Sequence, residues 1–517
     1  MSLIDLLLTA EAARAHRAVR RTAYRHVHLA DRPLIVVAYN LSGEAAAPLG
    51  IMYGTDPAAP KLVVAAEPRN RECRFGAINQ FAEDLDVYVR PFLALKTEPK
   101  RGGGFRQVAS GAPQVIVPNR ATRSYLGARL GRSLRYLGLD GTHDVPEATK
   151  WAGSHLSWLT EHANLPGQAN FLAMTETLSE HFVTGQSALE DENLAALLAW
   201  IDGVAGDLLA ELERIELEEA FGPVPNPKWE AKLEPQVKAW GDGLRNGDAA
   251  KMATAEASVT TAVRAALTDA YAATHRAVDI LRGIDPAATV AARWANDVYE
   301  WGAHAKRAKT GIPRFARRHD ALRAAAMLQR WSSAADELET AQAFDDPMIM
   351  ARLDAEGRCV TGAITNVDAQ NKEIKPGNKR ATRVPLVEVS LTGPTRLLAG
   401  EVVRWVGDKK IRGVVRSVDD GSAVVAVTDQ VKAFDTYAWP PGVEVIFVGL
   451  DPWEGPNPWG PDEIPWTHKE ATTTELAGQA EPGDGSTDGS PDMSPAELAE
   501  IVVVGAVAPD AEPGVVV

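Results

Sequence analysis

The chain has 517 residues, 45% hydrophobic, 24% charged and 6% aromatic, with 54 Lys and Arg against 69 Asp and Glu. These proportions exclude a chain that is disordered, collagen-like or membrane-embedded as a whole, and the length predicts about three to four domains. The only cysteines, Cys73 and Cys359, lie far apart, which predicts neither a disulfide framework nor a thiolate metal site and points to a reducing cytoplasm.

The first 21 residues resemble a secretion signal only superficially, because a basic leader is missing and Asp5 interrupts a short apolar run. Leu3, Leu6, Leu7 and Ala10 instead fall at helical spacing and predict an amphipathic helix. No window reaches the roughly 18 apolar residues that a membrane span needs, so no membrane partner is expected. PLIVVAY (33–39) and KLVVAA (61–66) read as strands, as does DVYVRPFLAL (86–95), where Pro91 favours an edge or a bend. Gly102, Gly103 and Gly104 mark a loop. QVIV (114–117) and the helical pattern over 119–137 then form a strand–turn–helix unit with Asn119 as N-cap. Residues 1–145 therefore read as an N-terminal helix plus a small α/β domain.

Residues 146–350 read as an α-helical bundle or coiled-coil arm. Leu194, Leu198, Ile201, Leu208, Leu212 and Ile215 recur at helical intervals, and long helices are expected near 249–282, 287–308 and 319–344. Around 356 the period changes to two. Strands are expected at 359–366, 384–391, 400–406, 411–418, 422–428 and 443–449, with Asp420 and Gly421 as a hairpin turn. That pattern predicts a small SH3/OB-like β-barrel over 351–468. Residues 469–517, rich in Gly, Ser, Pro and acids, read as a disordered tail with a short apolar segment at 501–507. The fold class is thus multidomain α+β.

The net charge of −15 conceals a segregation. Residues 470–517 hold ten acids and no Lys or Arg, and 151–227 hold thirteen acids against Arg214 alone. Residues 1–150 hold 21 bases and 14 acids. Three basic clusters follow. In the 119–137 helix, Arg120, Arg129, Arg132 and Arg135 share one side with Tyr125 and Tyr136, with Arg123 close by. Arginine beside tyrosine suits phosphate pairing and base stacking; the competing reading pairs these arginines with the acidic 151–227 block. Lys306, Arg307, Lys309, Arg314, Arg317, Arg318 and Arg323 form the second cluster, opposed only by Asp320. In the third, Lys372, Lys375, Lys379, Arg380 and Arg383 fill a loop, and Trp405, Lys409, Lys410, Arg412 and Arg416 decorate strands.

GEVVRWVGDKKIRGVVRSVDDGSAVVAVTD (400–429) resembles the small β-barrel inserts of superfamily-one helicases. The resemblance implies a module that tracks a nucleic-acid strand or docks a protein partner. The motor itself is absent from the chain: no GxxxxGK[ST] phosphate loop occurs, nor a G-x-S-x-G elbow or dinucleotide fingerprint in useful context. One layout permits metal-dependent nuclease chemistry, with Glu98 and either Asp84 or Asp86 holding Mg²⁺ and Lys100 orienting water. Trp151, His155, Trp158 and His162 form a helical stripe suited to packing, with metal binding as the rarer alternative. The expectation is a non-catalytic subunit that binds DNA or RNA without a cofactor and acts with a separate helicase or nuclease. A protein–protein adaptor is the alternative.

Overall fold

A computed structural model describes residues 3–41, 47–100, 103–135, 137, 144–218, 221–315, 320–374 and 379–450. Tyr136, Arg317, Arg318, Lys375 and the 469–517 tail with its 501–507 segment lie outside the described residues. The fold is mixed α/β, with a long helical middle and C-terminal strands.

Leu34–Asn40 is the centre of the main sheet. Its seven residues are all buried and carry apolar side chains on both faces, so the strand has to be covered from both sides. It pairs antiparallel with Pro48–Gly54, which pairs antiparallel with Lys61–Val64. On its other edge it runs parallel to Val115–Val117, and that strand runs parallel to Phe171–Ala173, completing five strands. Leu34, Val36, Ala38, Ile51 and Tyr53 enter one core, closed by Phe81 and Leu85 of helix Arg71–Val89 and by Leu156 and Leu159 of helix Glu147–His162. Ile35, Val37, Tyr39, Leu49 and Met52 enter a second core, closed by Val259, Val263 and Leu267 of helix Ala249–Arg282. Gly50 lets that helix approach the sheet, since a Cβ there would stand 2.4 Å from Val263 Cγ1. Helices from the middle of the chain thus bury their apolar stripes on the N-terminal sheet, in layers of helix, sheet and helix.

Two local expectations are corrected. DVYVRPFLAL is not a strand: Asp86 to Val89 complete the helix Arg71–Val89, and Arg90–Leu93 form a 3₁₀ turn before the strand Leu95–Pro99. Asn70 starts that helix by accepting a hydrogen bond from the Cys73 N–H, and Ile78, Phe81, Ala82, Leu85 and Val89 keep it on the sheet. Their helical spacing outweighs the strand preference of Val87, Tyr88 and Val89. In helix Leu3–Ala15, Leu3, Leu6 and Leu7 stay exposed and Ala12 is the buried contact. The helix is therefore held by a different side from the leucine stripe.

The N-terminal segment is tied to the helix Pro347–Ala355 by Asp346. Its carboxylate accepts from the backbone N–H of Ala23 at 2.7 Å, of Tyr24 at 3.0 Å and of Met348 at 2.8 Å, and lies 3.1 Å from His26 Nε2. Beyond this helix, six antiparallel strands follow in the order Cys359–Asp368, Leu386–Leu391, Ser422–Asp429, Arg412–Asp419, Val402–Trp405 and Glu444–Val448. The last pairs with the first and closes the sheet. Register shifts at Ile364/Asn366, Arg412/Gly413 and Val415/Ser417 interrupt the ladders, irregularities of the kind that bend a strand. Val360, Val387, Val389, Val403, Val415, Val425 and Phe447 fill the interior. Asp419 pairs with Ser422 around Asp420 and Gly421, with Gly421 in the left-handed region at φ 82°.

Candidate functional site

The C-terminal end of helix Val290–Ala308 is anchored by Trp301. The ring is fully buried and donates from Nε1 to the Phe92 carbonyl at 2.8 Å. One helical turn later the side chains turn outward, and Lys306, Arg307 and Lys309 are exposed. Cations suit this end of a helix, where unpaired carbonyls carry partial negative charge. Lys309 Nζ donates to Gln107 Oε1 at 2.9 Å, which ties the helix end to the hairpin Leu95–Pro99/Phe105–Ala109.

Two grooves flank the 306–314 segment. The first, of about 700 Å³, is lined by Lys100, Arg106, Lys306, Gln107, Pro99 and Tyr299. The second, of about 450 Å³, brings Arg135 and Lys150 together with Arg314, beside Ser154 and Thr310. Ser154 Oγ donates to the Pro313 carbonyl at 2.9 Å and pins the segment in place. Gly153 lets helix Glu147–His162 touch the chain at Arg135, because a Cβ there would meet the Arg135 nitrogen at 2.5 Å. Among the described residues no acid lines either groove. Nearby carboxylates do contribute: Glu98 lies 3.6 Å from Arg106, and Glu161 lies 4.0 Å from Arg135. Arg135 of the first basic cluster and Arg314 of the second, remote in sequence, therefore meet in space.

The arginine helix behaves differently along its length. Asn119 caps it as expected, accepting from Thr122 N–H at 2.9 Å. Arg120–Ser124 is α-helical, Tyr125–Gly131 is a π-helical stretch and Arg132–Leu134 is α-helical again. The wider π turn breaks the regular rotation of about 100° per residue assumed from sequence. Tyr125 is consequently buried with Leu126, Leu130 and Leu134, and cannot offer a face to a base. Arg120 and Arg123 both reach Glu176 at 2.6 Å, an acid of the 151–227 block. Arg129 and Arg132 are exposed.

The residues of the nuclease layout are split between helix Arg71–Val89 and the hairpin that follows it, and the three acids have separate partners. Asp84, on helix Arg71–Val89, accepts from Tyr53 Oη at 2.6 Å and from Lys61 Nζ at 2.5 Å. Asp86 is buried on the same helix and paired with Arg90. The hairpin residue Glu98 meets Lys96 at 2.9 Å, and Lys100 opens into the first basic groove. Among the described residues, no group of three or more His, Cys, Asp or Glu is placed to hold a metal.

The Trp/His stripe packs inward. His155 Nδ1 lies 3.1 Å from His304 Nε2, Trp158 stacks on His162 at 4.6 Å, and Trp301 meets Trp158 edge-on at 4.8 Å. His162 Nε2 lies 2.9 Å from Asp297, whose other oxygen accepts the Ala169 N–H. Burial lowers the pKa of His155 and takes that of His304 down to about 2, so both rings are neutral packing elements at ordinary pH.

On the closed sheet, Trp405 is half-buried and meets Tyr437 at 4.7 Å and Trp439 at 4.6 Å. Trp439 stacks on Phe434 at 4.5 Å and donates from Nε1 to its carbonyl. Tyr437 is exposed. The adjoining turn carries exposed Lys409 and Lys410, with Arg404 buried beneath and donating to the Lys409 carbonyl at 2.9 Å. Arg412 is half-buried on the same strand pair, whereas Arg416 is held by Glu373 at 2.5 Å and Arg383 by Asp435. Sequence reasoning missed Lys150, Arg106, Tyr437 and Trp439. The aromatic spacing in FDTYAW (434–439) was the available signal for the last two.

No family model, curated protein or solved structure matches the chain.

Proposed function

We propose that this chain is a nucleic-acid-associated subunit without catalytic chemistry of its own, acting in the cytoplasm with a separate helicase or nuclease. The observation that carries the reading is the convergence of Lys100, Arg106, Lys306, Arg135, Lys150 and Arg314 on two grooves that no acid lines among the described residues. Such a surface follows a phosphate backbone, because each contact releases condensed counterions. In this reading the closed C-terminal sheet is a small SH3/OB-like β-barrel. Its Trp405–Tyr437 pair supplies a stacking face beside Lys409 and Lys410.

The test is binding of the full chain to single- and double-stranded DNA and to RNA across a salt series. Each phosphate contact contributes roughly 0.7–0.9 to the slope of log affinity against log salt. Lys306→Ala with Arg314→Ala is expected to lower that slope by about 1–2. Absence of binding at low salt, or a double variant with an unchanged slope, rejects the proposal. An adaptor role has one observation in its favour: the leucine stripe of Leu3, Leu6 and Leu7 is left uncovered. Stable capture of a protein partner without nucleic acid would favour it.

A further inference from the structure

The parallel strands Val115–Val117 and Phe171–Ala173 end on the same side, and past their carboxyl ends lies a cavity of about 590 Å³. That is where open α/β sheets receive ligands, and the volume falls within the roughly 300–1,000 Å³ of small-molecule sites. Distant parts of the chain build it: Arg21, Arg123, Glu176, Glu180 and Arg293 all line the wall.

Most polar side chains there are already matched. Arg21 holds Asp5 at 2.7 Å and donates to the Ser179 carbonyl, Arg120 and Arg123 share Glu176, and Thr184 and Gln186 converge on Asp191. Thr175 donates to Glu192 at 3.3 Å. Two groups stand apart. Arg293 gives Nη2 to the His26 carbonyl at 2.7 Å, while its Nε and Nη1 are buried with no partner among the described residues. Glu180 is solvent-accessible within the cavity, and its carboxyl accepts no hydrogen bond from the described residues. Although the side chain reaches solvent in the cavity, the enclosing wall desolvates its carboxyl; that, and then Glu176, push it up to about 7, against the pull of Arg293, Arg123 and Arg21. Three guanidiniums thus line the cavity with two carboxylates, and one of the three, Arg293, is desolvated with two N–H groups that no acceptor among the described residues takes up, although Asp345, Glu180 and Asp297 lie near enough to favour its charge.

We propose that this cavity binds a small polar molecule through one oxyanion group, phosphate or carboxylate, set among Arg21, Arg123 and Arg293 with Glu180 hydrogen-bonded beside it. A planar guanidinium with unused N–H groups is the side chain best matched to such an oxyanion. The remaining acids of the wall, Asp5, Asp191 and Glu192, favour a single anionic head over a polyanion, so this site is distinct from the basic grooves.

The experiment is calorimetric titration of the full chain with inorganic phosphate and, separately, with acetate, at ionic strength held constant with chloride. Saturable binding of one of them at one site per chain is expected, and which one binds identifies the head group. Arg293→Gln is expected to weaken binding at least tenfold. Should that variant fail to fold, Arg123→Gln takes its place with the same expectation. Glu180→Gln, which keeps a hydrogen-bonding group and removes a negative charge, is expected to bind as tightly or more tightly. The proposal is overturned if neither anion saturates, or if a folded arginine variant binds like the parent chain.

Discussion

The main sheet and the closed C-terminal sheet are assembled by opposite routes. In the C-terminal sheet, all six strands come from one stretch, 359–448, pair only with one another and fill the interior with their own side chains. In the main sheet, Leu34–Asn40 takes its partners and covers from residues as distant as Leu267 and Trp301. Chemistry follows the same division. The aromatic and lysine residues of the C-terminal sheet lie within 405–439, whereas each groove and cavity of the N-terminal body draws on segments separated by more than a hundred residues. Local order in sequence gives a local surface; long-range packing gives composite sites.

The largest expected effect comes from removing the anchor of the composite region. Trp301→Ala deletes a fully buried ring and its hydrogen bond to Phe92, and should cost about 4 kcal/mol in urea unfolding. Amide exchange should speed up most in strand Leu34–Asn40 and least at Val387 and Val425. Equal loss of protection in both regions would show that the two sheets unfold as one unit. Gly421→Ala tests the other region: the left-handed φ of 82° at this hairpin turn should cost about 1 kcal/mol. Protection should then fall between Arg412 and Asp429, with the main sheet unaffected.

The smallest effect depends on pH. The Glu180 carboxyl is raised from 4.5 to about 7, so the folded state favours its protonated form and loses stability as pH rises through that interval. Glu180→Gln removes the penalty. Its melting temperature should match that of the parent chain near pH 3, where both states carry the proton, and exceed it near pH 8. An equal difference at both pH values would contradict the shift.

Much of the secondary structure was legible in the chain itself. The helix over 249–282 has the expected limits, and Asn119 caps the arginine helix because its side chain answers a backbone N–H three residues away. The strand Pro48–Gly54 was not legible. Its proline and two glycines weaken any local strand preference, and only its ladder with Leu34–Asn40 holds it extended. The site was less legible still. Tyr125 looked available for stacking until the π turn rotated it inward, and Lys100 looked catalytic until the fold set it beside Arg106 and Lys306.

The sequence by itself determined where helices and strands alternate, where charge is concentrated and which turns close, because propensity, capping and periodicity act within a few residues. Tertiary structure alone decided that middle helices cover the N-terminal sheet, that Arg135 and Arg314 share one groove and that Arg293 lies half-buried in the wall of the Glu180 cavity. Those outcomes depend on which apolar faces bury each other, and that choice is made between residues far apart in the chain.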